Sequence, residues 1–352
     1  MCAVLITALV FEEKEKIMAT VKLAIDFGSA YTNIYMLGGG LVLSEPTVVA
    51  VSQDDKSEIK AIGLEAKKLI GKTAKNTKIV FPVFEGEIVN ERIAIAALSA
   101  FLDKIDARGK IGGCHAVFSV PCGVTAEMIE KFSIVAKKSG ITKTYFVETP
   151  ILSALGQRIP LNDSSPCFIV EMGGGITNIA AVSLDGVIAG ISVNFGSNKI
   201  STDIIDYVAE VYGLQIGLLT AERLKKEIAS LAKNDGLTTV VNGRDVKTGT
   251  PRAISLKAKD ILEPVALYFD KIVDLALNVL KKLPPEVSAE IRHAGIYVSG
   301  EVASVYGLSD YFGEKFGMKI NVAEHPLMSV ALGGGVAVGD NELLKKISIN
   351  FR

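Results

Sequence analysis

The chain has 352 residues, 49% hydrophobic and 22% charged, with 38 Lys and Arg against 39 Asp and Glu and a net charge of -1. That length suits two lobes better than one core, and the composition excludes a disordered chain or a basic surface built for nucleic acid. Four scattered cysteines (Cys2, Cys114, Cys122, Cys167) and three isolated histidines (His115, His293, His325) show neither disulfide nor zinc-ligand spacing, which fits free thiols in a reducing cytoplasm.

Residues 1–11 are almost wholly apolar and precede Glu12-Glu13-Lys14-Glu15-Lys16. A bilayer span needs about 20 residues, so this run is too short to cross. It reads as an over-extended start, with Met18 the initiator, or as a short membrane-surface anchor. Short apolar or β-branched runs at 21–26, 32–37, 41–44 and 47–52 predict strands. Helices are expected at about 62–70 and 90–105, then a strand at 115–120 ended by Pro121. Met128, Ile129, Phe132, Val135 and Ala136 make one apolar face of a helix over 125–139, and Gly140 stops it. A strand at 144–147 and a helix at 151–157 complete a first lobe.

The pattern then restarts. Strands are expected at 167–171, 177–183 and 187–194, and helices at about 200–212 and 220–232. Asn242-Gly243 predicts the turn of a hairpin within 238–247. A long helix over about 258–282 ends at Pro284-Pro285. A strand at 294–299, a helix at 306–316, a strand at 320–322 and a helix at 329–338 follow. Blocks of alternating strands and helices give an α/β architecture.

The most informative feature is a duplication. Asp26-Phe27-Gly28-Ser29-Ala30-Tyr31-Thr32-Asn33-Ile34 matches Glu171-Met172-Gly173-Gly174-Gly175-Ile176-Thr177-Asn178-Ile179. The acid, the Gly at the second following position, and the Thr-Asn-Ile share one spacing, and the copies lie 145 residues apart. Each copy ends an apolar strand, turns on glycine and starts another strand. Such turns expose backbone N–H groups to phosphate oxygens, and an acid at a strand tip can hold Mg²⁺ through its waters. Two of them, one per half, can grip one triphosphate from both sides.

From Lys22 to about Asp340 the sequence resembles the MreB family of bacterial actins, within the actin and heat-shock ATPase superfamily. Leu23 to Tyr35 resembles the family's first phosphate loop, and Val170 to Thr177 the second. Val42-Leu43-Ser44-Glu45-Pro46-Thr47, Phe118-Ser119-Val120-Pro121, Leu219-Thr220-Ala221-Glu222-Arg223-Leu224-Lys225-Lys226, Val298-Ser299-Gly300 and Ala323-Glu324-His325-Pro326 resemble further family segments in the family's order. The resemblance implies two duplicated ribonuclease-H-like lobes around a nucleotide cleft, with ATP and Mg²⁺ as cofactors. Its expected division is an extension at 1–17, lobe I at 18–158 plus 325–352 with an insertion at about 50–90, and lobe II at 159–324 with an insertion at about 198–262. Asp26 and Glu171 would organise the metal. Gly28, Ser29, Ala30, Tyr31, Gly173, Gly174, Gly175 and Thr177 would line the phosphates. Glu222, Lys225, Lys226, Gly300 and Glu301 would reach the nucleoside. A solvated helix face is the competing reading of 222–227.

The departures from the family fall on the chemistry. The family's hydrolytic Glu precedes a Pro, and here Val147-Glu148-Thr149-Pro150 puts Thr149 in that place. A Thr hydroxyl orients water but does not take its proton near neutral pH. Glu148 is adjacent, but consecutive residues point differently. The second loop begins with Glu171 rather than Asp. Gly196-Ser197-Asn198 replaces Gly-Gly-Asp, and Gly300-Glu301-Val302 replaces Gly-Gly-Gly. In the loop 107–114, where members often expose an aromatic and aliphatic pair, only Ile111 is a large apolar residue. Slow or absent hydrolysis is the expectation. The resemblance implies cytoskeletal filaments for cell shape, self-assembly or assembly with paralogous actins, and a cytoplasmic place with contact at the inner membrane face or with cell-wall machinery. The alternative is a non-polymerising adaptor or chaperone-type protein that recruits division, pilus or other machinery.

Overall fold

The computed structural model describes residues 20–55, 58–72, 76–161, 165–232 and 236–349. The N-terminal extension expected at 1–17 lies outside them.

The duplication seen in the turns extends to the topology. One five-stranded sheet runs in the order Lys143–Glu148, Cys114–Val120, Val21–Phe27, Tyr31–Met36, Gly40–Pro46. The other runs Ile320–Val322, Ile296–Gly300, Cys167–Met172, Thr177–Ser183, Gly186–Val193. In each, three sequential strands form an antiparallel meander, and two later strands add in parallel beside the first of the three. The parallel additions need helical crossovers, which supply the layers on the sheet faces.

Both central strands, Val21–Phe27 and Cys167–Met172, are largely buried, as helix cover on both faces requires. Helices Glu91–Lys104 and Ala126–Lys138 cover one face of the first sheet with Ile93, Leu98, Phe101, Phe132 and Val135. Asn90 accepts the Ile93 N–H at 3.1 Å and Thr125 the Met128 N–H at 3.3 Å, so each start is fixed by a side-chain cap. The equivalent face of the second sheet carries Asn198–Tyr212, Leu218–Ile228, Leu262–Leu280, Pro285–Ala294 and Leu308–Phe316. Small sheets form from Val49–Ser52, Ile59–Ile62 and Thr77–Val80, and from Leu214–Gln215, Thr238–Asp245 and Pro251–Lys257.

Between the two large sheets lie helices Thr149–Gly156 and Ser329–Gly339. They touch backbone to backbone. A Cβ on Gly156 would fall 1.8 Å from the Ser329 carbonyl oxygen, and one on Gly333 1.8 Å from that of Leu152. Gly156 and Gly333 thus permit a close helix crossing, while Gly334 and Gly335 make room for Ala24 and the Tyr35 ring of the first sheet.

Two local expectations differ from the structure. Asn242-Gly243 is not a turn: both residues lie within Thr238–Asp245, opposite Ala253 and Arg252. The chain reverses after Asp245, whose carboxylate accepts the Lys247 and Thr248 N–H groups at 2.9 Å. Pro284-Pro285 ends one helix but also begins another, Pro285–Ala294, with Pro285 in its first turn.

Candidate functional site

In each turn the acid lies directly across the meander from the Asn seven residues later. Asp26 pairs with Asn33, and Glu171 with Asn178. The Asn178 amide donates to the Glu171 carboxylate at 2.9 Å, and Ser119 donates to that of Asp26 at 2.7 Å. The glycine two residues after the acid has one reason in both copies. A Cβ on Gly28 would meet the Tyr31 carbonyl oxygen at 3.0 Å, and one on Gly173 that of Ile176 at 3.1 Å.

The two turns face each other and touch. A Cβ on Gly174 would lie 2.3 Å from Ala30 Cβ, and one on Gly175 2.5 Å from Ser29 Oγ. The second turn is held from behind by the Ser197 and Asn198 N–H groups, which donate to the Gly173 and Gly174 carbonyls at 2.8 and 2.9 Å. Ser29, Ala30, Tyr31, Gly174, Gly175 and Glu301 border two chambers. The inner chamber, about 80 Å³, holds Asp26, Gly28, Ser119, Thr149, Glu171 and Gly173. The outer chamber, about 280 Å³, is more apolar and is lined by Phe81, Phe84, Phe195, Leu218 and Glu222 among others. A typical ligand pocket is about 300–1,000 Å³, so a nucleotide-sized molecule needs both.

Burial drives the electrostatics of the inner chamber. It raises Asp26 above the usual carboxylate range, against the hydrogen bonds from Ser119 and Asn33. It pushes Glu171 up to about 8, against the Asn178 bond and with help from the Asp26 charge. Two neighbouring carboxylates, Glu171 buried and Asp26 partly so, offer oxygen-only donors that fit a hard divalent cation, which would relieve the desolvation and the repulsion. Among the described residues no cluster of three or more His, Cys, Asp or Glu surrounds them. The remaining ligands of such a cation would be waters and phosphate oxygens.

The residues at the catalytic positions are engaged elsewhere. Thr149 lines the inner chamber, but its hydroxyl donates to the Val120 carbonyl at 2.9 Å. The Glu148 carboxylate accepts the Gly123 N–H at 3.0 Å and caps the loop after Val120. Neither chamber includes it.

The other expected residues divide. Gly28, Ser29, Ala30, Tyr31, Gly173, Gly174, Gly175, Gly300 and Glu301 meet at the chambers. Thr177 does not: it is fully buried, and its hydroxyl donates to the Phe195 carbonyl at 2.6 Å. Glu222 forms an ion pair with Lys67 at 2.6 Å across the cleft. Lys226 is exposed, with its ammonium 5.8 Å from the centre of the Tyr31 ring. Lys225 is buried and pairs with Glu301 at 3.1 Å. Sequence reasoning gave no role to Asn33, Asn178 or Ser119. The Asn recurrence in both copies was the available signal for the first two.

This geometry has counterparts among known proteins. A family model described as MreB/Mbl protein matches residues 20–346. Cell shape-determining protein MreB of Escherichia coli (strain K12) is 33% identical over 321 residues, covering 90% of this chain and 92% of the relative. Cell shape-determining protein Mbl of Bacillus subtilis (strain 168) is 31% identical over 327 residues, covering 92% and 97%. The crystal structure of MreB5 of Spiroplasma citri bound to ADP superposes with a TM-score of 0.87 at 27% identity, covering 94% of this chain and 99% of that one. The same protein bound to AMPPNP gives 0.85 at 28%, covering 94% and 98%. A MamK double helical filament, at 18% identity and a TM-score of 0.76 over 92% of this chain and 99% of its own, shares the fold. With the family model spanning nearly all of the described residues and relatives above 30% identity over nine-tenths of its length, the chain belongs to the MreB/Mbl family.

Proposed function

We propose that this protein is an actin-like filament subunit acting in cell-shape determination, with a cleft that takes ATP and Mg²⁺ between the paired turns and hydrolyses it slowly or not at all. The observation that carries the reading is the direct apposition of the duplicated turns, Ala30 against Gly174 and Ser29 against Gly175, beside the partly buried Asp26 and the buried Glu171. Named relatives are cell shape-determining proteins, and one neighbouring structure is a filament. Bound nucleotide would supply the anionic charge that the turn N–H groups and the cation are arranged to meet.

In this reading Gly28 and Gly173 let the backbone approach the phosphates, Asp26 and Glu171 hold the cation through its waters, and Asn33, Asn178 and Ser119 fix the two carboxylates. Lobe I would comprise 18–158 plus 325–352 and lobe II 159–324, with insertions at about 50–90 and 198–262. Thr149 has no proton-accepting role, because a hydroxyl does not take a proton near neutral pH, and its own O–H is donated to the Val120 carbonyl. Assembly would be head to tail, with this chain or with paralogous actins, as open polymers require. Among the described residues no helix is long and apolar enough to cross a membrane. Contact with the inner membrane face or with wall-building machinery is part of the same proposal.

Sedimentation with electron microscopy in ATP and Mg²⁺ tests this. Pelleted filaments are expected. A protein that stays monomeric at every nucleotide and salt condition is instead a non-polymerising adaptor. ATP turnover at about 1 s⁻¹ or faster that is lost on Asp26→Ala would refute the hydrolysis part.

A further inference from the structure

Glu301 sits where the two chambers meet. Its backbone N–H donates to the Met172 carbonyl at 2.9 Å, which anchors it beside the second turn. Its carboxylate accepts the Ser197 hydroxyl and lies 3.1 Å from the Lys225 ammonium. That ammonium also donates to the Ser197 carbonyl at 3.2 Å. Lys225 is 4% exposed, so the pair has little water to exchange with. Burial alone would favour the neutral acid, but Lys225, Ser197 and Lys226 outweigh it and hold the carboxyl below its usual value. Glu301 is therefore a fixed anion in the wall of the cleft.

We infer that Glu301 is a tethered anionic occupant: its carboxylate takes the Lys225–Ser197 donor set that an anionic or hydroxyl group of a nucleoside phosphate would otherwise use, and the ligand enters by displacing it. This rests on the nucleotide reading above and adds the regulation of that site. Three physical consequences follow from the geometry. A phosphate approaching the gap between the chambers meets a like charge instead of a cation. The Lys225 and Ser197 donors gain nothing from the ligand that they do not already have from Glu301. Displacing Glu301 leaves a carboxylate that must find water in the outer chamber, which is costly for a buried partner of an ion pair. A glycine at this position imposes none of these.

Calorimetric titration of the full chain with ADP and with AMPPNP, each with Mg²⁺, tests the inference on wild type, Glu301→Gly and Glu301→Gln. Glu301→Gln keeps the size and removes the charge, so it remains informative where the glycine variant fails to fold. Both variants are expected to bind at least about tenfold more tightly than wild type. They are also expected to show a larger ligand-induced rise in melting temperature, since the unliganded variants leave Lys225 without a carboxylate partner. Wild type that binds as tightly as both variants overturns the tethered anion and leaves the nucleotide reading standing. Binding by none of the three proteins overturns the nucleotide reading and, with it, the gate.

Discussion

A methyl group added at Gly174 probes the closed cleft without any ligand. It would lie 2.3 Å from Ala30 Cβ and 3.2 Å from the Ala30 backbone nitrogen, so a rigid neighbour must move. Overpacking of this kind costs about 1–3 kcal/mol. Ala30→Gly removes the obstructing methyl and by itself costs about 0.5–1 kcal/mol of backbone entropy. Combining the two moves one methyl from the first turn to the second, and the nearest Ala30 atoms then stand 3.2 and 3.3 Å away. The double variant should lose less than the sum of the singles by at least about 1 kcal/mol. Gly313→Ala is the control. It lies within helix Leu308–Phe316, and its methyl would meet nothing nearer than the Met318 carbonyl oxygen at 3.8 Å. The same chemical change there should stabilise by up to about 1 kcal/mol. Urea unfolding of the four variants measures all of these. A neutral Gly174→Ala, or strict additivity with Ala30→Gly, would show that the turns do not touch.

Further outcomes concern single groups. The Lys67–Glu222 pair, with side chains 23% and 22% exposed, should show a coupling of about 0.5–1 kcal/mol in a double-mutant cycle and weaken with salt. Burial lowers the Lys67 pKa, but the Glu222 bond and charge and the nearby Tyr31 raise it above 10.5 overall. Its contribution is thus complete below 10.5 and fades as pH rises through the folded value; loss near neutrality would contradict the pairing. Thr149→Ala strips the Val120 carbonyl of its donor and should cost about 1–2 kcal/mol in thermal unfolding. Phosphate release should stay within about twofold, whereas a general base contributes about 100-fold or more. Asp245 is held down to about 2, first by the Thr248 N–H, then by the Lys247 N–H and Arg252, against some desolvation. The closed turn at 246–250 is favoured above the unfolded value of 3.8 and lost as pH falls toward 2, so an NMR titration of Asp245 with a midpoint near 3.8 would refute the capping geometry.

Sequence patterns carried the parts of the fold whose causes are local. The duplicated acid-Gly-Thr-Asn spacing is a hairpin read along one chain segment, and Thr125 and Ser139 flank the helix Ala126–Lys138 as its apolar period required. Asn242-Gly243 misled because the same dipeptide serves another cause. A Cβ on Gly243 would lie 2.5 Å from the Gln215 carbonyl oxygen, so the glycine makes room for a neighbouring strand rather than a turn. Pro284-Pro285 marked the end of the long helix, but the helix Pro285–Ala294 that follows was not read, because proline suits a helix start as well as a stop. In the cleft, the turn residues were legible, while the use of their neighbours was not. Ser197, Lys225 and Glu301 are far apart in the chain, and only folding shows that the side chain replacing a family glycine is bound by the lysine expected to meet the nucleoside. The engagement of the Thr177 hydroxyl was hidden for the same reason: the Phe195 carbonyl it serves follows the last strand of the meander.

A structure of the full chain with AMPPNP and Mg²⁺ is the most direct measurement. Phosphate density against Gly28 and residues 173–175, with cation density beside Asp26 and Glu171 and the Glu301 carboxylate moved off Lys225, is the expected result. Nucleotide density outside the paired turns, with the inner chamber unchanged, would contradict it.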